Sequence, residues 1–181
     1  MEVHQAYREM YADAELDFVG KVFAWATDCF HGRYQDFQPI DARYHDFEHT
    51  LQGTLCFARL LRGRHRSGQQ PRLPRRTFEL GLLAILLHDT GYLKRGDDRE
   101  GTGAKYTSVH VNRSCEFARG LLAEKGFSPA EIESVQNMIR CTGVNVDLRA
   151  VPFQNDSERI AGFALGTADL LGQMAANDYV E

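Results

Sequence analysis

The chain has few of the marks of secreted or membrane proteins. Its four cysteines, Cys29, Cys56, Cys115 and Cys141, are scattered without a CxxC pair, which favours reduced core thiols over a zinc knuckle or a disulfide framework. Its apolar stretches are too short or too interrupted to span a bilayer. The polar start, MEVHQAYREM, lacks a signal-peptide pattern, so a cytoplasmic protein without membrane association is expected. There is no internal repeat or low-complexity linker, and no alternating strand pattern of useful length.

What is present is helical periodicity. With 181 residues, 43% hydrophobic, and a net charge of −4, the chain suits one globular domain with a proper core. Apolar periodicity runs through segments near 4–30, 46–66, 75–90, 106–125, 129–142 and 157–180, so the expectation is an all-α fold of about six or more helices forming a single domain over 1–181. Ser128-Pro129-Ala130-Glu131 is a capping box with Pro at the first helical position, and Gly126 and Gly143 fit helix stops. The last helix runs into Tyr179-Val180-Glu181 without a stop signal, so the natural chain is expected either to continue or to fray there.

Chemistry enters at LGLLAILLHDTGY, Leu80 to Tyr92, where an uncharged apolar run is followed at once by His88 and Asp89. Burying an unpaired carboxylate there costs several kcal/mol, roughly, so the pair needs a partner. Alone, the segment fits equally a helix end with a hydrogen-bonded aspartate and a satisfied core histidine, or a metal site. Upstream, Tyr44-His45-Asp46-Phe47-Glu48-His49 spaces two histidines four apart, which predicts that both imidazoles share one helix face. Downstream, Asp169 is the one charged residue in AGFALGTADLLGQMAA, and again asks for a cation or several donors.

Helix lengths bring these pieces together. From His49 to the turn Ser67-Gly68-Gln69-Gln70-Pro71 is roughly 26 Å of helix, and from the next helix start at Pro74 to His88 roughly 21 Å. An antiparallel hairpin therefore returns His88 and Asp89 to the level of His49, and a third helix carrying Asp169 can close a site of two His and two Asp. Such mixed ligands suit Zn, Mn, Fe, Co or Ni, and Mg where oxygen ligands dominate.

His49, then His88-Asp89, then a distant Asp169 resembles the H…HD…D signature of the HD superfamily of metal-dependent phosphohydrolases, and YHDFEHT is similar to the YHNxxH segment of class I cyclic-nucleotide phosphodiesterases. The resemblance covers about Tyr44 to Gln173. It implies an all-helical enzyme that hydrolyses phosphate esters, with His49, His88, Asp89 and Asp169 holding one divalent metal, Asp89 able to bridge to a second, and His45 as general acid. His110 falls where many members place a histidine near a second metal or the substrate; a solvated helix histidine is the equal alternative. Three departures bear on these roles. Asp46 replaces the usual Asn. Met138-Ile139-Arg140-Cys141-Thr142-Gly143 lacks the late histidines of members with two firmly held metals, so one tight site is expected. The chain also ends soon after Asp169, without the helices that form a purine pocket.

Arg59, Arg62, Arg64, Arg66, Arg72, Arg75 and Arg76 cluster at the far end of the hairpin. With a negative net charge they read as a solvated basic turn, not a nucleic-acid patch. The glycine-rich loop from Lys94 to Gly103 follows the metal ligands directly and is the better candidate for a lid, with Lys94 and Arg140 as candidate phosphate contacts. The expected activity is metal-dependent hydrolysis of a small phosphodiester or nucleotide-type phosphomonoester by a monomer or homodimer. The alternative is a non-catalytic, metal-stabilised module that binds a ligand or partner; a di-iron oxygenase of the same superfamily is disfavoured by the missing late histidines.

Overall fold

A computed structural model describes residues 2–12 and 16–174. Its centre is a helix buried on every face beyond its first turn. From Phe78 to Leu87 each residue of the helix Arg75–Leu87 is buried, and a helix without a polar face must be enclosed by others. In chain order the helices are α1 (Glu2–Met10), α2 (Leu16–Phe30), α3 (Phe47–Arg66), α4 (Arg75–Leu87), α5 (His110–Glu124), α6 (Pro129–Arg140) and α7 (Asp156–Met174), with 3₁₀ turns at Thr90–Tyr92 and Gly103–Tyr106. α2, α3, α5, α6 and α7 all pack on α4. The buried apolar side chains form one core drawing on all seven helices. Among the described residues there is no strand, and the sole ladder pairing is an isolated antiparallel bridge between Phe37 and Arg95. No helix of the described residues is long and apolar enough to cross a membrane. The four cysteines are unpaired thiols.

The expected α3–α4 hairpin is present and antiparallel: His49 meets His88 with ring centroids 5.6 Å apart, Gly53 faces Ile85, and the Phe57 ring lies on Gly81. α7 then lies along α3 so closely that a Cβ on Gly172 would come within 3.0 Å of the Gly53 amide nitrogen. That approach brings Asp169, one turn earlier, over His49.

The expected single helix over 4–30 is instead two. Tyr7 of α1 stacks on Phe78, and Phe30 of α2 packs on Phe47. A straight helix would hold Tyr7 and Phe30 about 35 Å apart, whereas their targets are separated by only about 15–20 Å of the hairpin, so the chain has to turn between them. α1 also places Tyr7 OH on the buried carboxylate of Glu79, which Arg76 reaches at 2.9 Å. A carboxylate in the wall of the central helix needs such partners. α4 ends earlier than expected because the Thr90 hydroxyl donates to Leu87 O at 2.7 Å and starts the 3₁₀ turn. α5 begins at His110, later than expected, after the turn at Gly103–Tyr106. The expected last helix is seen to Met174; its continuation lies outside the described residues.

The basic turn is largely internal ion pairing. Arg59 reaches Glu2 at 2.6 Å, Arg66 pairs with Glu9, and Arg64 donates to the carbonyls of Gln69 and Gln70.

Candidate metal centre

His88 is the C-terminal cap of α4, and its Nδ1 lies 2.7 Å from Ile85 O. A carbonyl can only accept, so Nδ1 carries hydrogen and Nε2 is the atom turned to the site. There it meets Asp169 Oδ1 at 3.1 Å and Asp89 Oδ2 at 3.3 Å. His49 Nε2 completes the group, 2.9 Å from Asp169 Oδ1 and 3.6 Å from Asp89 Oδ2. His49, His88 and Asp89 are buried and Asp169 nearly so.

Two donors on one ion at about 2.1 Å lie about 3.0 Å apart at a right angle and about 3.4 Å apart at the tetrahedral angle. The four His–Asp distances of the cluster, 2.9 to 3.6 Å, bracket these values. Two carboxylate oxygens and two imidazole nitrogens form a donor set for a transition-metal dication such as Zn, Mn, Fe, Co or Ni. His49, His88 and Asp169 form one group that could hold an ion, and His45, His49 and Asp89 form a second such group.

The electrostatics show why the group needs positive charge. Burial by itself would lower the His88 pKa, but the Asp89 and Asp169 carboxylates overcome it and push it up to about 10. Burial would raise both aspartates. His88, with His45 beside Asp89 and His49 beside Asp169, instead holds both carboxyls below the ordinary carboxylate range. A proton shared by the imidazoles, or a dication among them, meets that demand.

His45 comes to the site by a different route from the one its spacing suggests. It is not on the helix of His49. Asp46 is the N-cap of α3, and its carboxylate accepts from the His49 amide at 2.9 Å; the cap ends the helix one residue after His45. Before it, Tyr44 has a left-handed φ of +68°, which costs a non-glycine residue about 1 kcal/mol and turns the chain back toward the site. His45 Nδ1 then lies 3.1 Å from Asp89 Oδ2, and the Tyr92 hydroxyl 3.2 Å from His45 Nε2. The Tyr92 ring stacks on His45 with centroids 4.2 Å apart and on His110 at 4.6 Å.

Tyr92 was not visible as a site residue, because an aromatic at the end of an apolar run reads as core. Ser114 was missed too: its hydroxyl donates to His88 O and accepts from the Gly91 amide at 2.8 Å, tying the turn after the ligands to α5. A Cβ on Gly91 would lie 2.0 Å from His110 O, so only glycine fits that contact. His110 borders the site through Tyr92. Its Nδ1 pairs with Thr107 O at 2.7 Å, and it joins neither ligand group among the described residues.

The two candidate phosphate contacts are both engaged by groups of the protein itself. Lys94 is buried, 2.8 Å from Asp41 Oδ2 and 2.8 Å from Gly101 O, so its charge is already matched. Arg140 donates to Asn137 Oδ1 at 2.6 Å and lines a separate concavity with Gln136, Val146 and Pro152. The loop from Lys94 to Gly103 is fastened rather than lid-like. Gln38 Nε2 donates to Asp98 O, the Gly103 amide to Asp41, and Tyr106 OH to Asp98. Charged loops look mobile in sequence when their partners lie about 60 residues away.

No curated protein and no solved structure matches the chain significantly. A family model described as Npun_R2479-like matches residues 1–100, the part that carries His45, His49, His88 and Asp89 but not Asp169. Because that match spans more than half of its 181 residues, the chain belongs to the Npun_R2479-like family.

Proposed function

We propose that the protein is a divalent-metal-dependent hydrolase of phosphate esters, of the HD phosphohydrolase type. The observation that carries the reading is the set of four donor atoms, drawn from α3, the end of α4 and α7, with His–Asp distances of 2.9 to 3.6 Å. His49, His88, Asp89 and Asp169 would hold the ion, and Asp89, which also faces His45, could serve a second. A divalent ion bound there supplies Lewis acidity, polarising a phosphoryl group and acidifying water.

The chain's own residues supply the rest. Asp89 accepts from His45 Nδ1–H, which leaves Nε2 as the ring atom that would exchange a proton with a leaving oxygen. Tyr92 stacks beneath the ring and fixes the direction in which Nε2 points. The substrate class is a phosphodiester or nucleotide-type phosphomonoester.

One observation favours the competing reading, a metal-stabilised binding module: both nitrogens of His45 are already engaged within the protein. Metal analysis after purification, joined to assays with bis(4-nitrophenyl) phosphate, 4-nitrophenyl phosphate and mononucleotides, separates the two. The hydrolase shows about one tightly held ion per chain and turnover that vanishes in Asp89→Ala. A metal-loaded protein inert toward all of these esters, with Asp89→Ala altering only its melting temperature, is the module.

A further inference from the structure

Directly after α4 ends at Leu87, the chain supplies three side chains to the site: His88 and Asp89 in the donor cluster, and Tyr92 against the His45 ring. They sit on one short 3₁₀ turn, held internally by the Tyr92 amide on Asp89 O and the Leu93 amide on Thr90 O, each at 3.1 Å. Such turns have poorer hydrogen-bond geometry than an α-helix, so support has to come from outside. It comes from two adjacent residues of α5. Ser114 Oγ donates to His88 O, and Arg113 donates through Nε to Gly91 O at 2.7 Å and through Nη2 to Leu93 O at 2.8 Å.

Arg113 uses its guanidinium in an uncommon way. Arg59 grips Glu2, and Arg66 grips Glu9, with this same edge of Nε and Nη2, the geometry in which a guanidinium matches a carboxylate. In Arg113 the edge is occupied by two buried carbonyls, one from the residue before Tyr92 and one from the residue after it. A rigid planar fork that holds both pins the backbone on each side of Tyr92. The fork is itself backed by the Tyr106 ring, whose centroid lies 3.6 Å from the guanidinium carbon, and Tyr106 OH donates to Asp98 Oδ2 at 2.6 Å. Beyond Tyr92 the contacts continue to His45, with ring centroids 4.2 Å apart and the hydroxyl 3.2 Å from Nε2.

From this we infer that Arg113 is a positioning residue: it sets the Tyr92 ring and, through that ring, the direction of the His45 imidazole. The metal donors have other supports. His88 is held by Ile85 O and Ser114, His49 by the Asp46 cap of α3, and Asp169 by the packing of α7 on α3. A reacting group has to be kept within about 0.5 Å of its working place, which gives weight to a side chain that touches neither ion nor substrate. The inference rests on the hydrolase reading where it makes His45 a proton donor; the placement of the ring can be measured without turnover.

The test compares wild type with Arg113→Lys, which keeps the charge but cannot span both carbonyls, and with Tyr106→Leu, which leaves the fork and removes the ring behind it. NMR of the Zn-loaded protein reads the His45 ring protons, assigned by their loss in His45→Gln; stacking on Tyr92 shifts them upfield. Chelator competition reads Zn affinity, and hydrolysis of bis(4-nitrophenyl) phosphate by the Mn-loaded protein reads kcat and KM. In both variants the His45 protons should move downfield, toward an unstacked imidazole. Zn affinity should stay within about tenfold of wild type, and kcat should fall by about tenfold or more with KM within about twofold, as for loss of a supporting contact around a metal site. His45 protons that stay in place in Arg113→Lys overturn the inference, because Tyr92 is then set by its packing alone. A Zn affinity lowered by more than about tenfold also overturns it, because Arg113 then supports the ligand turn as a whole. A wild type inert toward the ester, with His45 protons that move in the variants, removes the hydrolase reading and leaves the positioning role standing.

Discussion

His49 and Asp169 are 120 positions apart in the chain, yet His49 Nε2 and Asp169 Oδ1 lie 2.9 Å from one another. The contact joins the start of α3 to the last third of α7, and the same oxygen also faces His88 Nε2 at 3.1 Å. Asp169 is thus the shared corner of the cluster.

Asp169→Ala should therefore lower metal affinity by at least about 100-fold, more than loss of an outer-shell partner usually does. Competition with a fluorescent chelator measures it. Unchanged affinity would show that His49, His88 and Asp89 suffice.

The metal-free protein should lose stability as the solution turns alkaline. His88 is raised above its unfolded value of 6.5, so its contribution is fully present below about pH 6.5 and is lost as pH rises through about 10. Asp89 and Asp169 are depressed, so theirs is present above the ordinary 3.8 and is lost as pH falls below it. With chelator present, the melting temperature should fall steadily from pH 6 to pH 10. Bound metal, replacing the proton as the source of positive charge, should flatten that decline. A melting temperature that rises toward pH 10 without metal would contradict the electrostatic account.

His45→Ala should reduce turnover by about 100-fold or more with metal content retained. Tyr92→Phe, which keeps the stacked ring and removes the hydroxyl, should cost about tenfold or less and shift the acidic or basic limb of the pH–rate profile. Loss of metal from His45→Ala would instead make His45 a ligand in its own right, through the group it forms with His49 and Asp89.

Lys94→Met should destabilise the fold by about 1–3 kcal/mol, because it leaves the partly exposed Asp41 without its cation and the buried carbonyl of Gly101 without its donor. KM for a phosphate ester should stay within about twofold of wild type. A large rise in KM at unchanged melting temperature would return Lys94 to the role of phosphate contact.

Much of this arrangement was legible in the residues themselves. A carboxylate at the end of an apolar run and another alone on an apolar helix both announce a need for charge, and counting 1.5 Å per residue out along α3 and back along α4 returns His88 to His49. The break between α1 and α2 was not legible, because it depends on where Phe78 and Phe47 sit in the hairpin. His45 showed the limit of spacing arguments. Four residues before His49 means one helix face only if the helix has begun, and the Asp46 cap starts it after His45. Lys94 looked available because Asp41, its partner, is a loop residue 53 positions earlier, and Tyr92 looked like core because its ring is indeed buried while its hydroxyl alone does polar work.

The position of Asp169 bears on how the protein is made. His45, His49, His88 and Asp89 leave the ribosome well before Asp169, and the carboxylate that completes the cluster is carried by the last described helix, whose close packing on α3 at Gly53 and Gly172 also covers the hairpin. A nascent or truncated chain that stops before Asp156 holds three of the four donors and an uncovered α3 face. An ion held by these residues would therefore be gripped fully only once α7 has docked, and would clasp that helix to the hairpin.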